Sequence, residues 1–371
     1  MTMSAADSRH FRMHLNLGPQ HPSTHGVLHL ALEMYGENVL DIDPVLGYGH
    51  RMHEKMAERR PWQAFFANTP RIDYACSLPH SHCYALLLER ALQIEPPARA
   101  VSLRIIASEL NRVASHLLWV GAFLLDLGAF TPILYCFDDR EQAVDILEHM
   151  TGSRLTHAWM CAGGVTDDID EETVLKIRAF IRRMRARFRI YERLVTNNVI
   201  FIMRTRGIGV ITPALARSCG ATGPVLRASG MACDIRKVAP YGGYDHYAFD
   251  VPLGSNGDCL DRYRVRMEEM RQSLAIIEQA LDRLPGGPVR AKVPRTLAPP
   301  AGEYSSSVEG ARGDITYWAI SDGSEIPYRL KIRSACFGNL SLIAELCQGM
   351  LLADLIATLG SLDLVIPEID R

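Results

Sequence analysis

An α+β fold, mainly α, is predicted by three observations. Three short segments between residues 13 and 42 alternate apolar and polar side chains, five long stretches between residues 51 and 195 carry helical periodicity, and alternation returns only after residue 302. In order, residues 13–17, 27–35 and 38–42 read as a small antiparallel sheet, the last two joined by Gly36 and Glu37. Residues 51–67, 73–93, 98–127, 132–151 and 171–195 read as helices, punctuated by prolines 70, 96, 97 and 132. Residues 212–258 are rich in glycine and proline and read as a connector laid on the body. Helical periodicity resumes over 259–284, and a proline-rich crossover follows over 286–302. Residues 303–308, 315–321 and 328–332 read as strands, and short helices follow over 340–359. This gives an N-terminal sheet with its loop (1–50), a helical core (51–285), and a crossover with a closing α+β region (286–371).

The stretch 103–127 is apolar on nearly every face, as expected of the central helix of a bundle. Its few polar residues, Glu109, Asn111, Arg112, His116 and Asp126, would each cost about 1 to 3 kcal/mol if buried unpaired, so each should have a partner. Six arginines between 182 and 193 read as a solvated helix face, with an acidic partner surface or lipid headgroups as sharper alternatives.

Composition excludes several function classes. With 371 residues, 48% apolar, 22% charged and a net charge of -2, the chain is a folded globular protein and not a general nucleic-acid binder. Residues 1–12 lack the apolar region of a signal peptide. The most hydrophobic stretch, 117–134, is broken by Asp126 and by Thr131 and Pro132, so membrane contact is expected to be peripheral or through partners. Nine cysteines occur without one Cys-x-x-Cys, so reduced thiols are expected, and neither a chain-borne iron-sulfur cluster nor structural zinc. His80, His82 and Cys83 are close in sequence, but residues 80 and 82 point different ways on a helix, so no metal is expected there.

The most chemically suggestive segment is GPQHPSTHG (18–26), which sets His21 and His25 in a turn stiffened by two prolines and closed by two glycines. An imidazole aimed by a stiff turn can pass a proton at cellular pH, and either histidine is eligible.

With that loop, PRIDY (70–74), ELNRVASHL (109–117), LDLGA (125–129), LRASG (226–230), FDVP (249–252), SDGSEIPYR (321–329) and GSLDLVIPEIDR (360–371) closely resemble the D-subunit family of NADH-quinone oxidoreductase, respiratory complex I. The resemblance covers about residues 15–371. It implies the helical-bundle fold of the related [NiFe] hydrogenase large subunits, whose metal needs four thiolates in two Cys-x-x-Cys pairs. Here Asp73 and Cys76 stand where the first pair would, and residues 363–368 hold no cysteine, so three of four thiolates are missing and the metal site is gone. Cys76 is left as a relic or a packing residue.

By resemblance, the vacated cavity takes a quinone headgroup. His25 and Tyr74 would hydrogen-bond its two carbonyls, Asp126 would pair with His25, and His21 would hold the loop in shape. An adjacent carboxylate favours imidazolium, typically by about one to three pKa units. The resemblance further implies quinone as substrate, ubiquinone among the types, and no cofactor bound by this chain alone. Electrons would arrive from a [4Fe-4S] cluster in an adjacent iron-sulfur subunit, with C-type and membrane-arm subunits as further partners. The chain would act in an NADH-dependent, proton-translocating complex, peripheral on the cytoplasmic side of the bacterial inner membrane. The alternative is the equivalent subunit of a related complex fed by ferredoxin or another donor. Two departures from the family stand out: GYGHRM (47–52) replaces the usual GYLHRG, and Ala122 replaces a common threonine. The crossover before Gly302 is also shorter than is typical.

Overall fold

A computed structural model describes residues 12–20 and 26–371. His21 and His25 lie outside the described residues. The N-terminal sheet is a meander of β1 (Arg12–Leu17), β2 (His29–Tyr35) and β3 (Asn38–Val45), antiparallel throughout, with a register shift between Glu33 and Met34. Leu30, Leu32 and Met34 alternate inward from β2, so one face is buried and the other wet, as the sequence period requires. Gly18 and Gly26, at φ of 91° and 123°, bracket the histidine loop in backbone conformations that a Cβ disfavours.

The expected helix over 51–67 is instead two short ones, α1 (His53–Ala57) and α2 (Trp62–Phe65). Pro61 caps the second and lacks the N–H that a continuous helix would use. Helix α3 (Ser77–Leu92) starts four residues later than expected, because the Asp73 carboxylate takes the amides of Ala75 and Cys76 into a turn. The central helix α4 (Ala98–Asp126) follows the Pro96 and Pro97 pair and packs against α5 (Phe130–Thr151) and α11 (Cys259–Asp282). A two-stranded hairpin, β4 (Met160–Cys161) and β5 (Gly164–Val165), is too short to show a period in sequence.

Helix α6 (Glu171–Tyr191) is capped by Asp170 and ends in a single π-helical stretch over Glu192–Thr196, rather than running to residue 195 as an α-helix. A short helix α7 (Val199–Thr205) precedes the connector, which holds three more, α8 (Pro213–Ser218), α9 (Gly223–Ala228) and α10 (Ile235–Val238). After the crossover, β6 (Gly302–Glu309), β7 (Asp314–Ser321) and β8 (Arg329–Arg333) form the second antiparallel meander, packed on α3. Helices α12 (Ala335–Leu340), α13 (Leu342–Leu346), α14 (Leu352–Leu362) and α15 (Ile366–Asp370) close the chain.

Two apolar cores result. The larger joins α3, α4, α5, α6 and α11 to the second sheet. The smaller joins the N-terminal sheet to α9 and the closing helices, through Leu17, Leu30, Leu226, Leu359 and Ile366. Three arginines of the run on α6 meet this chain's own acids: Arg183 and Arg187 bond Asp138 and Asp139 on α5, and Arg185 bonds Glu278 on α11.

Candidate functional site

Each polar residue foreseen on α4 has company. Glu109 bonds Arg112, Arg236, Tyr244 and Ser273, and Asn111 accepts the amide of Leu78. Arg112 donates to the carbonyls of Glu309 and Gly310 at 2.6 Å each. His116 meets Glu269 at 3.0 Å, and Glu269 in turn meets Arg227 at 2.6 Å. Burial opposes ionising Glu109, but the Arg112 and Arg236 cations hold its carboxyl down at about 2. Burial outweighs the Glu269 bond at His116 and lowers that imidazole to about 4, so it is neutral at pH 7.

Beyond this network lies the turn that carries Tyr74. Asp73 divides its oxygens: Oδ1 accepts the amides of Ala75 and Cys76, each at 3.0 Å, while Oδ2 accepts from Arg312 Nη1 at 2.8 Å. Asp73 and Cys76 are buried, and Tyr74 between them stays 42% exposed on the rim. Partial burial raises the Tyr74 phenol above its ordinary value, with Arg312 opposing and Asp73 and Asp363 assisting. It is therefore a proton-bearing donor at neutral pH. Burial pushes the Cys76 thiol up to about 12 and Cys336 up as well, so both are poor sources of thiolate.

Asp126 is the last residue of α4, and its carboxylate lies against Gly360, where a Cβ would sit 3.2 Å from Oδ2. Trp119, two turns earlier, donates its indole N–H to the Gly360 carbonyl at 2.7 Å. The chain then turns at Asp363, in the left-handed conformation at φ 58°, which ends α14. Arg266 holds this end by donating to the carbonyls of Ser361 and Leu362 at 3.0 and 3.2 Å. Three residues on, Ile366 lies 4.0 Å from a Cβ placed on Gly26, the glycine that closes the histidine loop. Segment 360–366 therefore receives Asp126, the closing end of the histidine loop and, through Arg312 and Asp363 at 3.3 Å, the Tyr74 turn.

His80, His82 and Cys83 each meet a different neighbour. His80 Nδ1 meets the Tyr317 hydroxyl at 3.1 Å, His82 packs edge-on to Tyr241, and Cys83 donates to the Ser306 carbonyl at 3.2 Å. Sequence reasoning missed what His80 does on its other side, where Nε2 lies 3.8 Å from Glu368 Oε1. Both side chains are buried. Burial, then repulsion from Asp73, raises the Glu368 carboxyl to about 7, and burial lowers His80 to about 4. Arg312 was also missed. Its signal was an arginine between two glycines, GARGD (310–314), at the turn of a strand pair. At the Gly49 departure a Cβ would sit 3.1 Å from Asp370 Oδ2, the oxygen that accepts the Gly49 amide at 2.6 Å, while Oδ1 accepts that of Gly47 at 2.9 Å.

Among the described residues no helix is long and apolar enough to cross a membrane. A sequence model of the family described as respiratory-chain NADH dehydrogenase, 49 kDa subunit, matches residues 126–371. The chain is 56% identical to the NADH-quinone oxidoreductase D subunit of Syntrophobacter fumaroxidans and 52% identical to that of Desulfotalea psychrophila, in each case over 96% of both chains. It is 50% identical to the NADH-quinone oxidoreductase D 2 subunit of Opitutus terrae, over all of this chain and 93% of that one. The first two relatives are about as long as this chain. Matches of this extent settle the family: the chain belongs to the 49 kDa subunit family of respiratory-chain NADH dehydrogenase, the D subunits of NADH-quinone oxidoreductase, and is a subunit of that oxidoreductase complex.

Proposed function

We propose that this protein forms the quinone headgroup site of its complex, using Tyr74 and His25 as hydrogen-bond donors and Asp126 as the partner of His25. The observation that carries the reading is the convergence on segment 360–366 of Asp126, the Gly26 end of the histidine loop, and the Arg312 tie to the Tyr74 turn. The names of the relatives, which specify a quinone acceptor and an NADH donor, support it.

Quinone reduction adds two electrons, and each carbonyl oxygen takes one proton. The electrons come from a [4Fe-4S] cluster in the adjacent iron-sulfur subunit. Tyr74, exposed and protonated, donates to one oxygen and His25 to the other, and both are reloaded with protons from solvent. Loss of the imidazolium proton removes the charge that Asp126 pairs with, and this change links quinone reduction to proton translocation in the membrane arm. The chain lies peripherally, on the cytoplasmic side of the bacterial inner membrane, against the iron-sulfur, C-type and membrane-arm subunits.

In the assembled complex, His25→Ala and Tyr74→Phe should each lower quinone turnover by about 10²-fold, and Asp126→Asn should lower it as well. Electron entry from NADH to a hydrophilic artificial acceptor should be unchanged. Normal quinone turnover in both His25→Ala and Tyr74→Phe would sink the assignment.

A further inference from the structure

Arg312 sits in the turn between β6 and β7 with its guanidinium almost wholly buried. Its fork reaches three separate parts of the chain: Nη1 donates to Asp73 at 2.8 Å, and Nη2 donates to Ser115 Oγ on α4 at 3.1 Å and to Asp363 Oδ1 at 3.3 Å. The base of the side chain is also pinned. The Arg312 carbonyl accepts from Asn339 Nδ2 at 3.3 Å, and the backbone of Gly223 packs so closely against that carbonyl that no side chain fits there. Arg266, 3.9 Å from Asp363 Oδ2, completes a set of two cations and two carboxylates.

The tie has a direct route to Tyr74. Asp73 fixes the turn 73–76 with one oxygen and takes Arg312 with the other, so the phenol's position follows from where the guanidinium places Asp73. The same guanidinium holds Asp363, where the chain turns out of α14. A lysine offers one compact ammonium in place of this planar fork and cannot reproduce three bonds spread over both terminal nitrogens.

We infer that Arg312 is a positioning residue for quinone reduction, setting the distance between the Tyr74 phenol and segment 360–366 by bridging Asp73, Ser115 and Asp363. The inference rests on the quinone reading above and deepens it. Displacing a substrate-binding group by about 1 Å can cost about 10²-fold in rate.

The test is a double-variant cycle in the assembled complex, with quinone kcat and KM measured alongside electron entry to an artificial acceptor. Arg312→Lys should lower kcat/KM for quinone by about 10- to 100-fold, with electron entry unchanged. Because it acts through Tyr74, Arg312→Lys should add less than about twofold to the loss already caused by Tyr74→Phe. Wild-type kcat/KM in Arg312→Lys, or losses that multiply in the double variant, overturns the inference. Should Arg312→Lys fail to assemble, Asp363→Asn takes its place in the cycle. It should show a smaller loss that again does not multiply with Tyr74→Phe, and multiplication there overturns the inference equally. An inert Tyr74→Phe would remove the quinone reading together with this one. A damaging Tyr74→Phe beside an inert or multiplying Arg312 variant would remove only the role of Arg312.

Discussion

Two sets of arginines in this chain invite comparison. One is the run on α6, conspicuous in sequence, whose arginines are themselves partly exposed: Arg185 pairs with exposed Glu278, and Arg183 and Arg187 pair with exposed Asp138 and buried Asp139. The other is scattered and buried: Arg112, Arg227, Arg236 and Arg312, each bonded to a carboxylate that is itself almost fully enclosed. Residue type is the same in both, yet the energetic consequences differ severalfold. Exposed ion pairs contribute about 0 to 1 kcal/mol, whereas removing one member of a buried pair costs about 3 to 5 kcal/mol by leaving the other enclosed and uncompensated. A dense basic run therefore says less about this protein than single arginines that sit in inconspicuous places.

The sharpest way to break the comparison is Arg227→Met. Arg227 contacts Glu269 at 2.6 Å, Glu309 at 2.8 Å and Asp234 at 3.7 Å, and removing it leaves all three in the core without their shared cation. Pulse proteolysis of this protein within the complex should report a loss of about 3 to 5 kcal/mol, and a loss below about 1 kcal/mol would contradict the distinction between the two sets.

Glu368 gives the next effect, as a buried carboxyl with His80 beside it instead of an arginine. Its folded pKa of about 7 lies above its ordinary value of 4.5. The folded chain thus holds this proton more tightly than the unfolded one. The associated stability is fully present below about pH 4.5 and is lost as pH rises through 7, amounting to about 3 kcal/mol once both states are ionised. Glu368→Gln, neutral at every pH, should resist proteolysis better than the parent at pH 8 and match it near pH 4.5. An identical pH profile in the two proteins would contradict this. The smallest effect belongs to the surface set. Arg185→Ala should shift stability by no more than about 1 kcal/mol and less in high salt, measured in the same assay.

Legibility in the sequence divides along the same line. The helical run 98–127 is readable because its apolar residues cover every face, and the need of Glu109, Arg112 and His116 for partners follows from burial alone. The partners themselves are not readable. Glu269 and Arg236 lie more than 100 residues away, and Arg236 sits in a glycine-rich connector without periodicity. The break at Pro61 escapes detection because the flanking residues 51–67 keep helical spacing on both sides of it. Tyr74 and Asp126 are found through the motifs that contain them. Their relation through segment 360–366 depends on tertiary folding, which no spacing encodes. Arg312 carries only the glycines around it as a signal, and the reading of His21 and His25 falls on residues outside those described.

The bridge that Arg312 makes between Asp73 and Asp363 also bears on the order of events during synthesis. Its two carboxylates are separated by 290 residues, from 73 to 363. At about 5 to 20 residues per second, a nascent chain carries the Tyr74 turn for roughly 15 to 60 s before Asp363 has been added. For that interval the growing protein can bury helices and pair its first sheet, but it cannot close the end where Tyr74 sits. The site is therefore completed late, onto a body that already exists, and its loop closure spans most of the polymer.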